Sequence, residues 1–249
     1  MNPQLRSELF KQRTTRTSRW LLLSMVGLLA VVVLLHVVSL PAEGLSGSTG
    51  QLRVLGMGTT FGTLFAAFLG AMSITGEIRH GLIRPTLLTT PNRTRVLVAK
   101  IGAGALVGAV FGVVAEIVTI GVGSAGLAAR GIDVAPTGAQ FAQLIAGGAV
   151  AAALWAAIGV AVGALVRNQV VALVGLAVWL LFLEQILIGI VPSIARYAPG
   201  PSAGSLAGAI LQQTSTYLLA PAVGLFVVAG YVAATSVAAL VATNRSDFG

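Results

Sequence analysis

Long apolar runs separated by short polar joints fill this chain of 249 residues. The first run, Trp20–Leu40, ends at Pro41 and a joint rich in glycine and serine (42–50). Five more follow: Leu52–Thr75, Val96–Ala128, Phe141–Val166, Val170–Val191 and Ala222–Ala242. A helix needs roughly 20 apolar residues to cross a bilayer, and each run supplies that length. The pattern therefore predicts six transmembrane helices. The third run is longer than a bilayer requires, so it tilts, bends or projects. A joint of only three residues, Arg167-Asn168-Gln169, separates the fourth run from the fifth. Residues 192–220 form a longer joint, with prolines at 192, 199 and 201.

Composition agrees with that pattern. Hydrophobic residues make up 56% of the chain and charged residues 9%, against about 25% in an ordinary soluble domain. The expected class is an all-α integral membrane protein with one transmembrane domain, 1–249, and no soluble domain. Cysteine is absent, which excludes disulfides and thiolate metal sites. The net charge of +8 does not point to nucleic acid, because the basic residues flank membrane ends and no basic patch interleaves with aromatics.

Charge placement also gives orientation. With six spans, one side carries the arm 1–19, the joint 76–100, Arg167 and Arg245, which together hold twelve of the fifteen lysines and arginines. The other side holds Arg53, Arg130 and Arg196. The positive-inside rule puts both termini and the basic joint in the cytoplasm. In the arm, Leu5 and Leu9 are four residues apart with Phe10 beside them. That spacing allows a short amphipathic helix on the bilayer surface; a plain topological anchor is the alternative. Small residues recur every four positions (Gly104, Gly108, Gly112; Gly159, Gly163), a spacing that lets helices pack closely.

Familiar catalytic patterns are missing. There is no phosphate loop of the GxxxxGK[ST] type and no Cys/His cluster with metal-ligand spacing. An intramembrane serine protease needs a histidine on a late span, and none follows His80. His36, Glu116 and Glu184 are the ionisable groups inside the spans, where each charge costs about 2.5–3.5 kcal/mol on insertion scales. Glu116, Glu184 and the adjacent Gln185 are candidates for a polar lining of a transport route or a proton relay. A protonated or hydrogen-bonded structural carboxyl is the alternative for both acids. His36 sits close enough to the end of its span to reach the interface.

The longest polar interruption is the stretch 76–100, GEIRHGLIRPTLLTTPNRTRVLVAK. On a helix, Glu77, His80 and Arg84 share a face. Pro85 disfavours helix at Arg84, so two short pieces are expected, the second stopped by Pro91, with Asn92 capping the third span. Such a surface suits a protein partner, and a solvated basic loop is the alternative. The run EIRHGLIRPTLLTTPNRTR (77–95), ending in Ala99-Lys100, resembles the cytoplasmic loop of ABC-2 type permeases, the membrane subunits of a class of ATP-binding-cassette exporters. It shares a glutamate, then a glycine, an apolar stretch, a T-x-P-x-R element (Thr89, Pro91, Arg93) and a lysine opening the third span. Arg84-Pro85 departs from many relatives.

The resemblance implies an interfacial helix in the arm and a coupling helix in the loop that docks on a separate ABC ATPase subunit. Contacts with that partner would come from Glu77, Arg79, His80, Gly81, Arg84 and Pro91. A second permease chain, identical or different, would complete the pathway. ATP and Mg would be bound by the partner and no cofactor by this chain, which is no enzyme itself. The joint after the fifth span would fold back as short helices, and residues 202–213 are apolar enough for that. The expected location is the cell membrane, of the bacterial inner-membrane kind. Exported cargo would be hydrophobic or amphiphilic, given a route with few fixed charges. The rival is a standalone proton-coupled carrier using Glu116 and Glu184. A membrane-bound assembly factor without transport is a third option.

Overall fold

In the computed structural model the described residues are 3–81, 93–208 and 218–245. Arg84, Pro91 and the expected break at Arg84-Pro85 lie outside them, as does the expected Asn92 cap. The described chain is helical throughout. A first helix, α1 (Pro3–Thr14), turns at Thr15 into α2 (Arg16–Ser39). Next come a 3₁₀ turn (Ala42–Leu45), α3 (Ser48–Leu55) and α4 (Met57–Arg79). Then follow α5 (Arg93–Ala129), α6 (Gly138–Val166) and α7 (Gln169–Ile190). Two short helices, α8 (Pro192–Ala195) and α9 (Pro199–Leu206), precede α10 (Pro221–Arg245).

Among the described residues, six helical stretches are long and apolar enough to cross a membrane. All six coincide with the runs predicted from sequence. The second begins earlier than expected: α3 and α4 form one stretch, Ser48–Arg79, hinged at Gly56. The third is long, as its run predicted; α5 has 37 residues.

α6 is the centre, with α4 and α5 packed closely against it. Its Trp155 is 1% exposed within a core of Leu64, Ala67, Ala151 and Leu176. Missing side chains make this proximity possible. A Cβ on Gly112 would lie 2.4 Å from the Gly148 carbonyl oxygen, and one on Gly159 would lie 2.1 Å from that of Ala67. The four-residue spacing read from the sequence is thus the line along which α4, α5 and α6 touch backbone to backbone.

Local chemistry sets the helix ends. Thr137 caps α6 in a reciprocal box with Gln140. Arg167 then takes a left-handed turn (φ 57°), and the Asn168 side chain accepts from the Val171 N–H to start α7. At the opposite end of the bundle, the buried Gln51 amide donates to the Leu45 and Asp133 carbonyls, both at 2.8 Å. Its oxygen accepts from the Ala135 N–H at 2.9 Å. Arg130 donates to the carbonyls of Val37 and Leu40. Gln51 and Arg130 thereby pin the joints at that end.

α8 and α9 fold back as expected after the fifth span. α9 begins at Pro199, earlier than the stretch 202–213 suggests, and is buried along its length. Residues 209–213 lie outside the described residues. The outer faces of α2, α7 and α10 carry exposed large apolar side chains, including Leu35, Phe182 and Phe226. Such surfaces fit hydrocarbon, and every backbone group within a helix is already satisfied.

Candidate functional site

The α1 helix forms, and the face it turns to the bundle is largely polar, with Leu5 beside it against Gly102 of α5. Glu8 and Gln12 are buried, whereas Phe10 is 70% exposed. Spacing of four puts Gln4, Glu8 and Gln12 on one stripe, with Lys11 beside it. That stripe meets the last turns of α4 and the first turns of α5, so three distant parts of the chain converge.

Two carboxylates and two ammonium groups alternate there. Lys100 Nζ, 1% exposed, donates to Glu8 Oε2 at 2.7 Å and pairs with Glu77 Oε1 at 2.8 Å. Lys11 Nζ donates to Glu8 Oε1 at 2.9 Å and to Glu77 Oε1 at 3.1 Å. The four charges cancel, as a cluster withdrawn from water requires. Burial pushes the Glu8 carboxyl up, but the Lys100 charge and hydrogen bonds from Lys100 and Lys11 outweigh it and hold Glu8 below its ordinary 4.5. Burial likewise disfavours the charged form of Lys11. Hydrogen bonding and charge from Glu8 and Glu77 outweigh that and raise it above 10.5.

Glu77 thus faces inward, with its side chain 11% exposed, tying α4 to α1 and α5. Arg79 and His80 stand exposed one turn beyond. The His80 ring Nδ1 lies 2.7 Å from the Gly76 carbonyl oxygen. Gly81 leaves the helix with φ +67°, a left-handed conformation that glycine takes without strain. Sequence reading expected Glu77 among the partner contacts and missed its buried pairing. The available signal was Glu8, the one acid in an arm holding five basic residues.

The two intramembrane acids are placed separately. Glu116 on α5 is 0% exposed; its Oε1 accepts from Thr59 Oγ1 at 2.6 Å. Gly58 and Gly148 make room for it: a Cβ on either would come within 2.7 Å of its carboxylate oxygens. Glu184 on α7 is 2% exposed, and its Oε1 accepts from Trp179 Nε1–H at 2.7 Å and from the Gly200 N–H at 2.9 Å. A π-helical turn, Trp179–Leu183, makes the first of these bonds possible by placing residues five apart above one another. The second ties α7 to α9. A cavity of about 40 Å³, room for roughly one water, adjoins Glu184, Gln185, Thr59 and Thr63. Thr59 therefore touches Glu116 and also lines the cavity beside Glu184. His36 bonds its own helix, Nδ1 lying 2.9 Å from the Val32 carbonyl oxygen.

No group of three metal-ligating side chains occurs among the described residues. No curated protein matches the chain. The family model for ABC-2 family transporter proteins matches residues 5–184, a span that takes in the clasp formed by the ion pairs of Glu8, Lys11, Glu77 and Lys100 and ends at Glu184. The chain is a multi-pass membrane protein and belongs to the ABC-2 transporter family.

Proposed function

We propose that this chain is the permease subunit of an ABC exporter that works with a separate ATPase subunit. Two permease chains form the pathway, both termini and the loop 76–91 face the cytoplasm, and the host membrane is a bacterial inner membrane. The cargo is hydrophobic or amphiphilic. ATP and Mg belong to the partner, and this chain supplies conformational change only.

One observation carries the reading. The helix that enters the basic loop is joined by ion pairs to α1 (through the half-exposed Lys11) and to α5 (through the buried Lys100), so a displacement of the loop is passed to two other helices at once. In this reading Arg79 and His80, both exposed, meet the partner, while Glu77 transmits. Closure of the ATPase around ATP pushes the loop and switches the bundle between inward- and outward-facing states. Glu77→Ala then uncouples ATP hydrolysis from export, and Arg79→Ala weakens docking of the ATPase.

The test is purification of the tagged chain from its host in mild detergent, with mass spectrometry of whatever accompanies it. A stoichiometric protein with a phosphate-loop ATPase signature is expected. It should vanish when residues 76–91 become a Gly/Ser linker of equal length. A chain that purifies alone and moves cargo in liposomes without ATP overturns the reading. That outcome favours a proton-coupled carrier, for which the structure offers one specific support. Thr59 joins Glu116 to the small cavity at Glu184, a polar thread between the two acids.

A further inference from the structure

Beside the clasp, a cavity of about 630 Å³ opens between the α1–α2 elbow and the end of α4. That size falls in the usual range for small-molecule sites. Two features of its wall are unexplained by the clasp. Gln12 is 6% exposed and lines the cavity, yet neither its side-chain oxygen nor its nitrogen has a hydrogen-bond partner. Glu77 spends Oε1 on two lysines, whereas Oε2 is buried without a partner. Buried polar groups are nearly always satisfied, so these two side chains leave bonding capacity open to another molecule.

The unmet groups define the missing chemistry. Glu77 Oε2 and Gln12 Oε1 each require a donor, and Gln12 Nε2 requires an acceptor. The clasp charges cancel among themselves, so the exposed Arg79 at the same cavity is the remaining cation, suited to an anionic phosphodiester. Leu69 and Met72 of α4 continue the wall away from these polar groups, with Leu21 of α2 alongside. From Leu69 to Arg79 the helix rises about 15 Å, more than the roughly 6 Å of one interfacial layer, so the cavity enters the hydrocarbon. An amphiphile with a monoanionic phosphodiester and an N–H- or O–H-bearing headgroup satisfies every requirement.

We propose that this cavity holds the headgroup of one cytoplasmic-leaflet phospholipid of the ethanolamine or glycerol type. Its amine or hydroxyl donates to Glu77 Oε2 and Gln12 Oε1, its phosphodiester meets Arg79 and Gln12 Nε2, and one acyl chain follows Leu69 and Met72. The leaflet rests on the orientation proposed above; the headgroup chemistry does not.

Native mass spectrometry of the full chain, delipidated and then offered defined lipids, tests the proposal. Phosphatidylethanolamine or phosphatidylglycerol should bind one per chain, at least tenfold more tightly than phosphatidylcholine, whose trimethylammonium has no N–H donor. Gln12→Leu, similar in size but unable to hydrogen-bond, should abolish the preference. Met72→Trp, which fills the apolar end and spares the clasp, should cut retention of all three lipids at least tenfold, and it decides the matter should Gln12→Leu fail to fold. Glycerophosphoethanolamine, the same headgroup without chains, should bind at least tenfold more weakly than the lipid. Equal retention of choline and ethanolamine lipids, or of all lipids by wild type and Met72→Trp, overturns the proposal. Equal binding of the chainless headgroup overturns its membrane source. Labelling of an Arg13→Cys variant from each side of sealed vesicles reports orientation independently, so a reversed topology is told apart from an absent lipid site.

Discussion

Replacing Lys100 with methionine removes the buried cation of the clasp and leaves Glu8 and Glu77 to share the half-exposed Lys11. Lys100 meets Glu8 at 2.7 Å and Glu77 at 2.8 Å. At an effective dielectric of 20, each contact is worth roughly 6 kcal/mol of Coulomb attraction. Desolvation of the buried ammonium and repulsion between the carboxylates offset most of that. Removing one member of a buried pair costs about 3–5 kcal/mol, because the remaining charge is left uncompensated. The cost falls on the docking of α1, which these ion pairs tie to α4 and α5. Hydrogen exchange of the α1 amides in a lipid nanodisc reads it directly, since local opening sets their protection. At tenfold per 1.4 kcal/mol, exchange should accelerate by roughly a hundredfold to a few thousandfold. The double variant Glu8→Gln/Lys100→Met leaves the remaining Lys11 and Glu77 balanced, so it should recover about 2 kcal/mol of the loss as a coupling energy. The reasoning fails if Lys100→Met exchanges within threefold of wild type. It fails too if the double variant opens as readily as the single one.

The pH dependence of the same docking follows from the signs of the shifts. Because Glu8 is held below 4.5 when folded, its contribution is complete above that value and lost as the pH falls through the lowered one. Lys11 is raised above 10.5, so its part is complete below that value and fades as the pH climbs through the raised one. α1 protection should therefore form a plateau between these limits and drop at both edges. At Glu184, the Gln variant keeps an acceptor for Trp179 and Gly200, so ATP-driven transport should stay within about twofold of wild type; a proton relay predicts its loss. Gly200→Ala puts a Cβ 1.8 Å from Glu184 Oε2 and should destabilise the fold by about 1–3 kcal/mol, read as a lower melting temperature in detergent. Gln51→Leu orphans the carbonyls of Leu45 and Asp133 and the amide of Ala135. It should cost about 1–3 kcal/mol in the same assay.

The spans were legible because bilayer thickness imposes a length and an apolar content that few other structures share, and all six runs lie where helices lie. The contact line of the glycines was legible for a similar reason: spacing alone fixes a helix face. Pairing across the chain was not. Lys100 and Glu8 are 92 residues apart, and Glu8, the lone acid of the arm, names no partner for itself. Glu77 was read as a contact for a protein partner, and its pairing with Lys11 and Lys100 was hidden because a helix face has no sign until its neighbour is known. The bond from Gly200 to Glu184 was hidden too, since it depends on a fold-back that brings α9 beside α7. Arg84 and Pro91 lie outside the described residues.

Backbone contact among α4, α5 and α6 has a mechanical consequence. Where Gly112 meets Gly148 and Gly159 meets Ala67, no flexible side chain stands between the helices to repack as they slide. Interfaces of this kind resist shear, so the three helices move as one rigid plate. A change of shape during a transport cycle must then be taken up around that plate, by α2, α7 and α10. These helices are joined to it through ordinary side-chain contacts, and α7 carries a π turn as a ready point of bending.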